Sequence, residues 1–163
     1  MTAHATAPRR SAEEQAQLDT ALIDLFQRRI SFNQVLGLVV ESVQATGPRI
    51  RFGMRPELVG HFLYGRLHGG MISATLDVMG SLALMVAIGE KHADENTAQV
   101  LHRFAKMGTI DLRVDYLRPG VGESFFATAE VTRLGGRIGS TQMRLENEEG
   151  TLIATAAAAY VIS

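Results

Sequence analysis

One stretch limits the possible folds more than any other. From Gly69 to Ile88 the chain reads GGMISATLDVMGSLALMVAI, and Asp77 is the only ionisable side chain between His68 and Glu90. A run of about 20 apolar residues can cross a bilayer, yet a carboxylate near its middle costs roughly 2.5–3.5 kcal/mol on insertion scales. The run is also rich in Gly, Ala, Ser and Thr, and the remaining chain alternates as a sheet protein does. A helix that is apolar on all sides is equally what a surrounding sheet requires. The stretch therefore reads as a buried core helix. Asp77 reads as a carboxylate kept for a purpose, because desolvating it without a partner is expensive.

The chain has 163 residues, enough for one domain with a sizeable core. A formal net charge of −1 gives no electrostatic hold on nucleic acid or an anionic membrane surface. There is no cysteine, which excludes disulfides, thiolate metal sites and cysteine nucleophiles. Residues 1–16 are polar, carry Glu13 and Glu14 and lack the apolar centre of a secretory signal, so a cytoplasmic location is expected. The five histidines show no HxxxH or HxxE spacing, and no metal site is expected. Ser73 and Ser81 lack a nearby base and an elbow context, and no P-loop is present.

Residues 1–10 are expected to be disordered and residues 11–163 to form a single domain. Ser11 and Glu14 have capping-box spacing, opening a helix to about Arg29 with Leu18, Leu22, Leu25 and Phe26 on one face. Residues 36–44 and 49–55 alternate with period two about a Thr46-Gly47-Pro48 turn, which predicts a hairpin. A loop over residues 57–67 then holds His61, Phe62, Tyr64 and Arg66, a set suited to a pocket mouth. After the central helix, residues 93–106 read as an amphipathic helix. Strands follow at 109–117, 123–134, 137–147 and 151–162, and read as a four-strand antiparallel meander. Together these make an α+β domain with its sheet curled around the helix.

The glycine pair at the start of that helix lets backbone N–H groups approach a ligand, where the helix dipole adds about half a positive charge. A developing oxyanion suits such a site, and one donor is typically worth roughly 2.7–4 kcal/mol to the transition state. Along a helix, His68 and Asp77 lie ~13 Å apart and on opposite faces. If Asp77 acts on a group held at a glycine pair, that pair belongs to a second subunit, which predicts a two-fold dimer with sites at the interface. Arg133, Gly135, Gly136 and Arg137 form a basic turn and Arg118 sits at another, both candidates for phosphate contact. Met71, Met79 and Met85 are candidates for an adaptable acyl tunnel or for ordinary core.

His68-Gly69-Gly70 followed by Asp77 resembles the signature of hot-dog fold acyl-CoA thioesterases of the PaaI-like group. The run TIDLRVDYLRP from Thr109 to Pro119 is similar to the strand and turn that follow in that group. MRPELVG from Met54 to Gly60, together with Leu101-His102-Arg103 and Met107-Gly108-Thr109, points to the YigI-like branch and its medium- and long-chain acyl-CoA substrates. The resemblance covers about residues 32–162. It implies a hot-dog fold, a curved antiparallel sheet around a long helix, and hydrolysis of fatty acyl-CoA by a homodimer or a dimer of dimers. Coenzyme A would enter only as part of the substrate, with no metal or other cofactor. Asp77 would be the general base, or a nucleophile. Gly70 N–H would polarise the thioester carbonyl, His68 would shape that turn, Gly69 would contact the substrate, and Thr109 would place the water. Thr109 falls on the polar side of its strand's alternation, so that role needs a strand end that bends inward. Relatives often carry an asparagine where this chain has His61 and Phe62, which makes His61 either a substitute for it or a solvent-exposed loop histidine. Two alternatives stand beside hydrolysis. A hot-dog hydratase pairs Asp with a histidine five residues on, where this chain has Leu82. The other is a module that binds acyl-CoA without turning it over.

Overall fold

The computed structural model describes residues 9–163. Its centre is the helix α3, Gly69–Lys91, which is buried at thirteen positions including Leu76, Met79, Leu82, Leu84 and Met85. By length and composition α3 could cross a membrane. Here the sheet supplies the apolar surroundings instead. The strands are β1 (Val39–Ser42), β2 (Arg49–Gly53), β5 (Gly108–Tyr116), β6 (Ser124–Leu134), β7 (Ile138–Asn147) and β8 (Leu152–Val161), with the short pair β3 (Val59–His61) and β4 (Arg66–Leu67) forming a separate hairpin. The main sheet is antiparallel throughout, in the order β1-β2-β6-β7-β8-β5. This is the curved sheet around a central helix that the sequence leads one to expect.

Period-two burial explains how the sheet accepts the helix. Along β7, Gly139, Thr141, Met143, Leu145 and Asn147 point inward while the residues between them are more exposed. β8 turns Ala154, Ala156, Ala158 and Tyr160 inward. Three alanines in a row leave room for α3 to lie close to the sheet. Gly80 on α3 faces the Tyr160 hydroxyl and Thr141, and a Cβ there would overlap both. Farther out, Phe52 and Phe125 stack at 5.1 Å and close the core.

Four expectations need correction. The last four strands are not one meander: β6, β7 and β8 are consecutive, but β5 pairs with β8 at the sheet edge. The first helix ends as an α-helix at Asp24 (α1, Ala12–Asp24), continues as a π-helical turn over Leu25–Arg29, and is followed by α2, Ser31–Leu36. Strand β1 therefore starts after Gly37, whose φ of 70° terminates α2 in the left-handed region. The later amphipathic helix, α4, is only Thr97–Phe104, because Asn96 and Gln99 form a capping box there. The capping box at Ser11 and Glu14 is present as expected.

Of the stretch expected to be disordered, residues 1–8 lie outside the described residues, but Arg10 is in place. Its backbone N–H donates to Ala93 O at 2.7 Å, and its guanidinium donates to the carbonyls of Gly89, His92 and Glu95. The last carbonyls of a helix have no partner inside it and carry its negative pole. Arg10 takes one of them, the Gly89 carbonyl, together with the His92 and Glu95 carbonyls just beyond the end of α3, so the folded domain begins before Ser11. Arg10→Ala is expected to lower stability by about 1.5–3 kcal/mol, the range for hydrogen bonds to a charged group. Urea unfolding measures this, and a change within experimental error would show that the clamp carries no net stability.

Candidate active site

Asp77 lies two turns into α3, half-buried on a helix that is otherwise almost entirely apolar. Its carboxylate accepts a hydrogen bond from Thr109 Oγ1 at 2.9 Å. Its backbone carbonyl accepts one from the Tyr160 hydroxyl at 3.0 Å. Thr109 and Tyr160 are opposite each other in the β5–β8 ladder. One cross-strand pair thus holds both ends of a single residue.

A bulge makes this possible. Thr109 pairs with Tyr160 and Asp111 with Ala159, which leaves Ile110 as the extra residue. Directly opposed residues in a ladder share a face. Tyr160 points at α3, so Thr109 does too, although regular alternation would send it to the other side. The Asp111 carboxylate accepts the Ala159 N–H at 3.0 Å and so repairs the ladder at the bulge. A bulge that re-aims one side chain is a recurrent device beside active sites. The inward bend that Thr109 needed is therefore present.

The helix entrance forms a second group of residues. His68 caps α3, its Nδ1 accepting the Gly70 N–H at 2.8 Å, and its own N–H donates to Leu58 O at 2.8 Å. A carbonyl that uses the Gly70 N–H must share it with, or take it from, that imidazole. Gly60 packs against the His68 backbone so closely that a Cβ would overlap it. Tyr116 Oη donates to Gly69 O at 3.1 Å from the far end of β5. His61 stands nearby, its ring against Phe62 and Tyr64 at 5.8 and 4.8 Å, with Nδ1 buried and lacking a partner among the described residues. Gly70 and Asp77 share a face of α3 but lie about 10 Å apart along its axis. Within one chain the two groups do not meet.

The basic turns are likewise separated. Arg118 donates to Leu152 O at 3.0 Å, and Gly120 O accepts the Leu67 N–H at 2.9 Å, so that turn flanks the helix entrance. Gly136 and Arg137 lie at the opposite end of the sheet, where Arg137 O accepts the Ile162 N–H at 2.9 Å and Lys91 Nζ reaches Gly135 O at 3.4 Å. A ten-residue strand such as β8 separates the ends by ~30 Å. Arg118 and Arg137 of one chain cannot hold one phosphate.

The family model of the thioesterase superfamily matches residues 64–154, the span that contains α3, Asp77 and Thr109. The chain belongs to the thioesterase superfamily. It is 37% identical over 139 residues to the medium/long-chain acyl-CoA thioesterase YigI of Escherichia coli, covering 85% of this chain and 90% of that protein. A crystal structure of a Shewanella oneidensis protein related to the thioesterase superfamily superposes with a TM-score of 0.88 at 35% identity, covering 94% of this chain and all of that one. Mouse thioesterase superfamily member 2 shares the fold at a TM-score of 0.68 and 20% identity, with coverage of 94% of this chain and 100% of that one.

In this thioesterase-superfamily domain the residue that sequence reasoning missed is Tyr160. It ends an alanine run in an apolar strand, and the only signal was that a buried phenol needs a partner for its hydroxyl. Burial first, then the Asp77 carboxylate, push that phenol above its ordinary value of 10.0. A group whose pKa rises on folding contributes stability that is complete below the unfolded value and is lost as the pH climbs toward the folded one. Stability should therefore fall between about pH 9 and about pH 11.5 more steeply in the wild type than in Tyr160→Phe. Urea midpoints across that range test this; parallel curves would show that the Tyr160 proton is not linked to folding.

Proposed function

We propose that this protein hydrolyses acyl-CoA thioesters of medium to long chain length, with Asp77 as general base. The observation that carries the reading is the Thr109–Asp77 hydrogen bond on the half-buried helix of a thioesterase-superfamily domain. The identity with YigI supports the substrate class. In the proposed reaction Asp77 takes a proton from a water placed by Thr109, and the hydroxide adds to the thioester carbonyl. The resulting oxyanion rests on backbone N–H at a helix entrance. The intermediate collapses with cleavage of the C–S bond, and the thiolate of coenzyme A leaves and is protonated. The reading needs no metal and no further cofactor, and its setting is the cytoplasm.

We place the second half of the site on another copy of the chain. β5 is the sheet edge, with Ile110 and Tyr116 more than half exposed, and an unpaired edge strand is a template for pairing. The less buried stripe of α3 beside it is made of the small or short side chains Gly70, Ser73, Ala74, Asp77, Val78 and Ser81. Two β5 strands meeting antiparallel about a two-fold axis would set the Thr109 end of one against the Tyr116 end of the other. Asp77 would then face Gly69 and Gly70 of the partner subunit, with His61 and His68 of the partner subunit around them. Arg118 of the partner subunit would come to the end of the sheet that carries Gly136 and Arg137. A dimer of dimers is compatible with the same edge pairing.

Free-thiol release from acyl-CoAs of graded length tests the chemistry. Asp77→Asn is expected to lower kcat by about 10²–10⁴-fold, the span of general-base catalysis. Thr109→Val should lower it by about 10- to 100-fold, as for loss of a hydrogen bond of ~1.5–3 kcal/mol to a charged group. Undiminished turnover in Asp77→Asn, or acyl-CoA binding without thiol release by the wild type, would overturn the reading. The shared site has its own test. Asp77→Asn and Gly70→Pro, each inactive alone, should recover about a quarter of wild-type turnover when refolded together, since half of the dimers then hold one intact site. No recovery would place both groups in one chain's site.

A further inference from the structure

We propose that the outer face of α4 is a binding subsite for the phosphates of the coenzyme A nucleotide, formed by His102 and Lys106. The inference deepens the acyl-CoA reading and rests on it. α4 is held against the body of the domain by Phe104, whose ring meets Phe26 edge-on at 5.3 Å, and by the fully buried Val100. Its other face opens on a cavity of about 640 Å³ whose lining includes Glu95, Gln99, His102, Arg103, Lys106 and Ile162. That volume is in the range of small-molecule sites, roughly 300–1,000 Å³.

The charge in the cavity is uneven. Arg103 is bound to the Glu95 carboxylate, which it holds below the usual carboxylate range, so those two charges cancel. His102 and Lys106 are exposed and have no ion-pair partner among the described residues. Gln99 uses its side-chain oxygen to cap α4 and leaves its amide N–H₂ for a ligand. An imidazole offers an N–H whether neutral or charged, and an ammonium offers three donors. His102, Lys106 and the Gln99 amide all line this one opening, whose one carboxylate side chain, Glu95, is held by Arg103.

Position relative to the proposed catalytic pair decides what part of the substrate this is. Lys106 precedes Thr109 by three residues, so their Cα atoms are at most ~11 Å apart. The arm between the thiol and the pyrophosphate of coenzyme A is about a dozen bonds, roughly 14 Å when extended at about 1.2 Å per bond. From a thioester at Thr109 and Asp77, phosphates at α4 lie within the reach of that arm.

The test is steady-state kinetics of Lys106→Ala, His102→Ala and the double variant on two substrates, an acyl-CoA and the acyl-pantetheine that lacks the nucleotide. The double variant should raise KM for acyl-CoA by about tenfold with kcat within about twofold, the pattern of lost uniform binding. Its KM for acyl-pantetheine should match that of the wild type, which also shows that the variant is folded. Wild-type KM for acyl-CoA should rise with salt more steeply than that of the variant. Equal changes on both substrates, or none on acyl-CoA, would overturn the subsite. A KM that moves only for acyl groups on an acidic carrier protein would overturn it in favour of a protein surface. If the wild type releases no thiol from any acyl-CoA, the hydrolase reading fails alone. Calorimetric binding of adenosine 3′,5′-bisphosphate, kept by the wild type and lost in the double variant, would then still support the phosphate subsite.

Discussion

Helix α3 is apolar around nearly its whole circumference, and everything else in the fold follows from the need to cover it. Each fully buried leucine or methionine on it contributes roughly 1.5–3 kcal/mol relative to exposure, so no arrangement that left α3 on the surface would compete. The sheet meets this need through shape. Ala154, Ala156 and Ala158 let the helix approach, and Gly80 and Gly139 remove the Cβ atoms that would collide with Tyr160 and Leu84. Arg10 completes the enclosure by taking the Gly89 carbonyl in the last turn and the His92 and Glu95 carbonyls just beyond it.

Within that apolar setting a carboxylate has to be provided for. Asp77 is half-buried rather than sealed in, and the strand pair Thr109 and Tyr160 provides a donor to its side chain and a donor to its backbone. The bulge at Ile110 is the device that turns Thr109 toward the helix. The feature that positions the candidate base is thus an irregularity in a strand whose sequence looks perfectly regular. The strand that carries it is also the exposed edge, which links positioning of the base to the proposed pairing of two subunits.

Much of this was legible beforehand, because it depends on local pattern. The central helix and its glycine entrance, the cap at Ser11, the β1–β2 hairpin and the period of each long strand all follow from neighbouring residues. Asp77 stood out as the one charge in an apolar run. Other elements were misread for equally physical reasons. Residues 36–38 look like the start of a strand, but Gly37 in the left-handed region ends a helix there. The four late strands look like a meander because each follows the last after a short turn, yet β5 closes on β8, about forty residues away. Tyr160 carried no local sign of its role, since nothing near it in the chain is its partner.

The division is one of range. Periodicity, capping spacing and the chemistry of a lone carboxylate are properties of a dozen adjacent residues, and from them the chain alone determined its fold class, its core helix and its candidate base. The edge position of β5, the bulge that aims Thr109, the grip of Tyr160 on Asp77, and the placing of Arg118 and Arg137 at opposite ends of the sheet were decided only by tertiary structure. Each depends on pairing between segments distant in the chain, where many registers satisfy the same alternation and only packing against the whole core selects one.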